Sequence, residues 1–542
     1  MKNFLGKMCI YLFAGALFPF VSGAAALRAQ SKSHTTDLVV YGGTAAGVMT
    51  AYSAARQGVK VILLEPGAHL GGMVTGGLSA TDLGDYWIIG GYARDFYLKA
   101  AAHYGTPNLD KPANWRSEPH VDEAIFRSML REAGVDVHLH ERLREKSGVA
   151  RKGTRIVSIT TTDGERWHAA VYADCSYEGD LMAQSKIGFT WGRESVQQYG
   201  ESLAGVRAFT PMHQFGWPMS AYDKSGRLYP EVDPGPLAAP GSADKKVQAY
   251  NFRMILTRNP EDRLPFPRPV GYDRAKFALL VEYLHEFQAH RGRPPVLKDF
   301  FNPVPIPDDK ADFNNNGPIS TDYIGHSWKY PEASYAGKAA IWKAHLLYTQ
   351  SLVYFLSHDP AAPQSLRDEM NQWGLPKDEF VDTGYWPNQL YIREARRMLG
   401  DYIMRQSDLQ VDRTKPDSIG MGSYNSDSHN IERVAMPDGT VQNEGDVQVH
   451  VQPYEIPYRS ITPRRSESVN LLVPVCLSAT HVAYSSLRME PQYMIIGQAA
   501  GVAAALAIAN HSSVQDIAIP SLQQKLRSAN VVLHLDEQFH AQ

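Results

Sequence analysis

Along residues 37–65, DLVVYGGTAAGVMTAYSAARQGVKVILLE, the spacing of apolar positions changes twice. Leu38 to Tyr41 is an unbroken apolar run, the kind carried by a strand buried on both faces. Gly42 and Gly43 end it, Ala45 to Gln57 are mostly small helix formers, and Gly58 stops the helix. Val59 to Leu64 is a second apolar run, closed by Glu65. Further on, His120 to Gly134 reads as an amphipathic helix and VDVHLHERL as a strand. RIVSITTTDG and ERWHAAVYADCS read as a hairpin turning at Asp163-Gly164. Asn470 to Leu477 predicts another strand. Pro491 to Ala509 predicts a Gly- and Ala-rich helix with proline suited to its first turn. Between these flanks, helices are expected over 271–291, 333–357 and 387–404.

The first residues follow a different pattern. Lys2 and Lys7 are basic, Ile10 to Val21 is an apolar run of 12 residues, and Ala24 to Ala26 form a small-residue zone. The run is shorter than the roughly 20 residues a membrane span needs, so residues 1–29 read as a cleavable secretory signal peptide. The expectation is an exported protein, periplasmic or extracellular, with no membrane span in the mature chain.

Composition narrows the class. Lys+Arg is 54 and Asp+Glu 57, a net charge of −3, so there is no basic footprint for a nucleic-acid partner. With 44% hydrophobic residues over 542 positions, the chain can build a large core and more than one domain. Only 3 cysteines occur, Cys9, Cys175 and Cys476, too few for a disulfide framework. One disulfide between the last two stays open. No oligomeric state can be read from these numbers.

Strand, Gly turn, helix, strand and terminal acid within about 30 residues form the dinucleotide-binding βαβ unit. Gly42 permits the tight turn. Small residues at Gly43, Ala45 and Ala46 leave the helix N-terminus open to a pyrophosphate. Gly47 lets the helix approach the strand, and Glu65 is placed to accept both ribose hydroxyls. Thr44 stands where the fingerprint has its second glycine; its hydroxyl is expected to reach a phosphate oxygen. No second unit of this kind occurs, so no NAD(P)H site is expected.

After the acid comes PGAHLGGMVTGGLSATD, with two Gly-Gly pairs, and later ADCSYEGDLMA (173–183), QAYNFR (248–253) and FNNNGPISTDYIG (313–325). REARRMLGDYIM (393–404), SYNSDSHN (423–430) and VPVCLSATHVAYSSLRMEPQYMIIGQAAG (473–501) complete the set. Together these segments resemble a secreted bacterial FAD-dependent oxidoreductase family with a glutathione-reductase-like FAD-binding fold, over nearly the whole mature chain. Some of its members are labelled "xanthan lyase".

The resemblance implies an α/β fold. A Rossmann-type FAD domain is split into 36–190 and 446–542, around an inserted α+β substrate or cap domain at 191–445. It implies non-covalent FAD near Glu65, Pro66, Gly71, Gly72 and Met73, with Val137 at the adenine and with Asp174, Ser478, Gln492 and Tyr493 also at the cofactor. His69, beside the Gly-Gly loop, is the one residue that could suggest a covalent link. In related flavoproteins the C-terminal helix points its N-terminus at the flavin, so backbone N–H groups near Gln492 and Tyr493 are expected there.

Dehydrogenating an alcohol needs a base for one proton while hydride goes to flavin N5. The candidates are His481 in SATHVAY, favoured because it adjoins the C-terminal helix, and His429 in YNSDSHN. Asp427 is placed to orient His429, and Arg488 to hold an anion. Asp312, Asn314, Asn315 and Asp322 form a polar cluster suited to sugar hydroxyls, and Tyr250, Asn251 and Arg253 are candidate cavity residues; no metal site is expected. The expected activity is oxidation of a hydroxylated small molecule (a sugar, uronate or glycan fragment), with oxygen or another acceptor reoxidising the flavin. The alternatives are a polysaccharide or uronate lyase with a non-redox flavin, and a flavin-bearing binding protein.

Overall fold

The computed structural model describes residues 32–537, so the proposed leader at 1–29 lies outside the described residues. The expected unit forms as β1 (Ser33–Tyr41), α1 (Ala45–Ala55) and β2 (Val61–Glu65), with Leu38 opposite Val61 and Tyr41 opposite Leu64 in parallel register. The helices α2 (Gly91–His103) and α3 (Pro119–Glu132) lead to β3 (Asp136–Leu139). Strands β4 (Val149–Lys152), β5 (Arg155–Thr160) and β6 (Arg166–Asp174) follow. The sheet order is β3-β2-β1-β6-β5-β4. Strands β1, β2, β3 and β6 run parallel, while β5 and β4 turn back antiparallel.

The C-terminal part of the chain completes this sheet. Leu471–Leu472 pairs parallel with Tyr172 and Ala173 on β6, beyond the point where β5 has diverged. The fork is bridged by one side chain. The Asn470 amide donates to the Ile156 and Ala170 carbonyls (2.9 and 3.0 Å) and accepts from the Ile156 N–H (2.9 Å), so backbone groups at the split stay paired.

Helix Glu490–Ala509 then packs along α1. It is long and apolar enough to cross a membrane, but 89% of its apolar window is buried in the protein. It serves here as a core helix. A Cβ on Gly497 would meet the Ala46 backbone at 2.9 Å, and one on Gly501 would meet Ala54 N at 2.9 Å. The approach brings side-chain hydroxyls onto the partner helix: Thr50 donates to the Gly497 carbonyl (3.0 Å) and Ser53 to that of Gln498 (2.9 Å).

The intervening chain builds a second apolar core. Strands Phe301–Ile306, Lys310–Asn315 and Met254–Thr257 form an antiparallel sheet. Helices Ala278–Arg291 and Tyr335–His358 pack on it through Leu280, Tyr283, Leu352 and Phe355. Two of the three expected cap helices are therefore present. The segment 387–404 is extended instead. Its Tyr391 N–H bonds the Asn251 carbonyl (2.9 Å), Met398 bonds Cys476 (2.9 Å) and Met404 bonds Ser478 (3.0 Å). Tertiary pairing overrides the helix propensity of REARRML. Cys175 and Cys476 are separate, buried thiols.

Replacing Gly497 by Val is expected to force α1 and the C-terminal helix apart, at about 1–3 kcal/mol for overpacking. Thermal melts and the flavin content of the purified variant check this; a variant as stable and as flavin-loaded as wild type would contradict it.

Candidate active site

A cleft opens at the C-terminal ends of β1, β2 and β6, where a doubly wound sheet binds dinucleotides. Gly42, Thr44, Glu65, Pro66 and Gly67 line it on one side and Ser176, Tyr177 and Glu178 on another. Gly42 is required in the turn: its φ is +97°, and a Cβ there would meet Ser176 N at 2.7 Å. Helix α1 has no acid in its first turn, so its positive end faces the cleft uncancelled. Thr44 differs from expectation. Its hydroxyl caps α1, accepting from the Gly47 N–H (3.2 Å) and donating to the Cys175 carbonyl (2.7 Å). Both capacities are used within the chain, so the phosphate contact there falls to backbone. The Glu65 carboxylate accepts from Gly43 and Gly67 N–H (2.6 and 2.5 Å). Burial outweighs those bonds and pushes its pKa up to about 7.

Tyr177 joins three of the sequence motifs. Its hydroxyl accepts from the Met73 N–H (2.9 Å) and donates to Glu490 Oε1 (2.7 Å), and its ring lies under Gly72, where a Cβ would come within 3.0 Å of it. The Gly71–Gly77 loop, the SYEG turn and the start of the C-terminal helix are thereby tied together. Glu490 is 1% exposed, with Oε2 unpartnered, and burial pushes its pKa to about 8. Gln492, two residues on, is fully buried, and neither end of its amide has a partner among the described residues. Buried amides are rarely left so, and Gln492 does not itself line the cleft.

These residues fit FAD, with a glycine cradle, an open helix end and orphaned polar atoms together. Some expected contacts lie elsewhere. Asp174 is wholly buried, accepting from Ser176 and Met182 N–H (3.1 and 2.7 Å), and Ser478 Oγ accepts from Gly400 N–H (3.0 Å); neither lines the cleft. The Tyr493 N–H is donated to the Met489 carbonyl (2.9 Å) and its hydroxyl pairs with that of Tyr484 (2.7 Å). Val137 lines a separate depression with Leu70 and Leu130. His69 is held by Glu123 and Asp382, both at 3.0 Å, and does not line the cleft. Arg142, Lys338, Trp342, Asn388 and Gln389 line the cleft and were not legible beforehand, because the fold brings them there from the cap and from the end of the β3 crossover.

A second cavity of about 290 Å³ lies on the cap side of the same loop. Gly77 abuts the Arg253 carbonyl. The chain passes from Gln389 at the cleft to Tyr391 at the cavity. Arg253, His429, Asp427, Asn314 and Asn315 line this chamber, residues the sequence offered in three separate groups. Arg253 forms a two-pronged pair with Asp312 (2.9 and 2.8 Å). Asp322 sits behind His429, bonded to Nδ1 at 2.6 Å and to Arg393 at 3.0 Å. Burial opposes its charge, yet Arg393 and His429 hold its pKa well below the carboxylate range. An ionised Asp322 only accepts, so His429 Nδ1 carries the proton and Nε2 is left as an acceptor, 3.9 Å from Asp427. Burial and Arg393 push the His429 pKa below its ordinary 6.5. Arg488 donates to the Tyr391 hydroxyl (2.9 Å) and the Asp427 carbonyl (2.7 Å).

His481 is placed differently. Its Nδ1 bonds Glu394 (2.7 Å), its N–H bonds Glu194 (2.9 Å), and burial brings its pKa to about 3. It lines neither cavity. Tyr250 and Asn251 are likewise buried away from the chamber, and Asp312 reaches it only through Arg253. Glu118, His120 and Asp378 converge as a metal site would, but Lys310 Nζ lies between Glu118 and Asp378, 2.7 Å from the latter, and supplies the positive charge.

A sheet whose parallel strands end at a glycine turn, with Glu65 at the tip of β2, is the frame of a dinucleotide-binding fold. The family model described as FAD dependent oxidoreductase matches residues 37–526, and the chain belongs to that family. No curated protein matches the chain.

Three solved structures illustrate how far the likeness extends. A geranylgeranyl bacteriochlorophyll reductase-like protein of Thermoplasma acidophilum is 10% identical, covering 92% of this chain and 83% of its own, with a TM-score of 0.32. A flavin-containing monooxygenase of Stenotrophomonas maltophilia is 17% identical over 30% of this chain and 43% of its own, with a TM-score of 0.19. A 3-ketosteroid dehydrogenase of Rhodococcus jostii is 14% identical over 29% and 50%, with a TM-score of 0.20. The chain thus spans half or less of the last two.

Glu490 makes stability depend on pH. Above the ordinary value of 4.5 the unfolded chain ionises, while the folded carboxyl stays protonated to about 8. Wild-type stability from this group therefore falls across that window and levels above it. Glu490→Gln is expected to gain stability on wild type as pH rises from about 4.5 to about 8; melts showing a constant difference would contradict the assignment.

Proposed function

We propose that the protein dehydrogenates a hydroxylated small molecule held in the polar chamber, with His429 as the base. The observation that carries this is the His429 imidazole. Asp322 fixes its tautomer at 2.6 Å, its low pKa keeps it neutral, and its free Nε2 belongs to a ring lining the chamber. A neutral, oriented imidazole accepts a hydroxyl proton as a carbonyl forms. Bound FAD supplies the two-electron acceptor that takes up the hydride. Arg393 keeps Asp322 charged, and Asp322 supports the positive charge His429 gains. Tyr391 and Arg488 hold the chamber wall beside Asp427. His481 acts by positioning. It caps a buried ionic cluster of Glu194, Glu394 and Arg397 beneath the segment that carries Arg393.

His429→Gln is expected to lower the rate of anaerobic flavin reduction by about 10²–10⁴-fold with FAD content unchanged. The acid limb of the wild-type rate should lie below pH 6.5, since protonation silences the base. Stopped-flow bleaching tests both. An unsaturated product formed while the flavin stays oxidised would establish the lyase alternative instead.

We propose also that the chain is exported, on the basic, apolar and small-residue order of residues 1–29. N-terminal sequencing of envelope and medium fractions should find a chain cut near Ala24–Ala26; an intact Met1 in the cytosol would refute it.

A further inference from the structure

The chamber's charges are arranged in a way the activity alone does not require. Each cation at or behind its wall already has a carboxylate. Arg253 has Asp312 at 2.8 Å, Arg393 has Asp322 at 3.0 Å, His213 has Asp446 at 3.3 Å and Arg488 has Asp427 at 3.6 Å. Asp82 remains as an added negative group facing the Tyr424 hydroxyl, and Asp427 keeps Oδ1 unpartnered. Arg393 and Arg488 keep unpartnered guanidinium nitrogens but do not line the chamber, so a carboxylate entering here would meet along the lining no unpaired cation and two carboxylates. Bringing like charges together in a partly desolvated cavity is strongly unfavourable.

Much of the remaining lining is amide. Asn302 and Asn314 face each other across the strand pair Phe301–Ile306 and Lys310–Asn315, and Asn315, Asn316 and Gln448 extend the row. The Asn315 side-chain oxygen is buried and unpartnered. Amides offer donors and acceptors together, as hydroxyls do. An ammonium group offers donors only; Asp82 and Asp427 would accept from it, but the amide N–H groups would be left unmatched. The volume, about 290 Å³, falls just below the ~300–1,000 Å³ typical of ligand sites, which suits one ring rather than a chain.

Resting on the dehydrogenation proposed above, we propose that the chamber selects a neutral polyhydroxylated ring, a monosaccharide or its simple glycoside, and excludes the corresponding uronate. Asp82 and the amide row determine the specificity, and the hydroxyl that loses its proton to His429 belongs to that ring.

The test uses the FAD-loaded protein under anaerobic conditions. Neutral hexoses and their methyl glycosides, the matching uronates and the matching amino sugars are each mixed with it, and flavin bleaching is followed. Neutral sugars should bleach the flavin, with each uronate about tenfold or more slower. Asp82→Asn should narrow that gap several-fold with FAD retention unchanged, and Asn314→Leu should weaken neutral sugars. Faster bleaching by uronates, or bleaching by amino sugars alone, would overturn the substrate class and leave the dehydrogenation reading standing. Saturable binding of neutral sugars by equilibrium dialysis, with no bleaching of a flavin that dithionite does reduce, would uphold the class and remove the dehydrogenation reading. Neither binding nor bleaching by any neutral sugar would overturn the proposal.

Discussion

The close crossing of α1 with helix Glu490–Ala509 is the contact on which the rest of the structure depends. Gly497 rests on the Ala46 backbone and Gly501 on the Thr50–Ala54 turn, and hydroxyls from Thr50 and Ser53 bond carbonyls of the opposite helix. Because the two helices are locked side by side, their N-termini lie at one cleft. One end presents the glycine turn, and the other presents Glu490 beneath Tyr177 and the Gly71–Gly77 loop. Tight packing of this sort tolerates no added volume, since interiors are filled to crystal-like density.

Two kinds of order were legible in the sequence. Local periodicity gave β1, α1, β2, the hairpin of β5 and β6 and the C-terminal helix, because each is decided by neighbours within about a dozen residues. The cofactor loops were legible because only glycine fits where backbone must approach backbone, as at Gly42. Pairings across the chain were not legible. Asp322 and His429 are 107 residues apart, and nothing in either segment announces the other. His481 adjoins the C-terminal helix in sequence, yet its ring turns into a buried knot of Glu194, Glu394 and Arg397. Thr44 carried a hydroxyl where a phosphate was expected, and the demands of capping α1 took it. Segment 387–404 has helix-forming residues whose backbone groups are claimed by three other segments, at Asn251, at 188–190 and at 476–480.

The cap does two tasks with one helix. The first turns of Tyr335–His358 put Tyr335, Lys338 and Trp342 over the nucleotide cleft, while its last turns, around Leu352 to Leu356, are packed in the cap's own core. Lys338 is held to Asp180 at 2.9 Å, so the helix is anchored on the FAD side as well. The cleft and the cap's own core therefore share one rigid support.

The bridged fork at Asn470 has a consequence for how the molecule comes into being. The strand that finishes the sheet and the helix that closes the cleft are made only after about 470 residues have left the ribosome. Until then β6 has a bare edge beyond β5, and α1 shows its small-residue face to water. Contacts this distant along the chain form slowly. A chain cut short before about residue 490 therefore has the first nucleotide-binding unit without the helix that packs along α1 and closes the cleft.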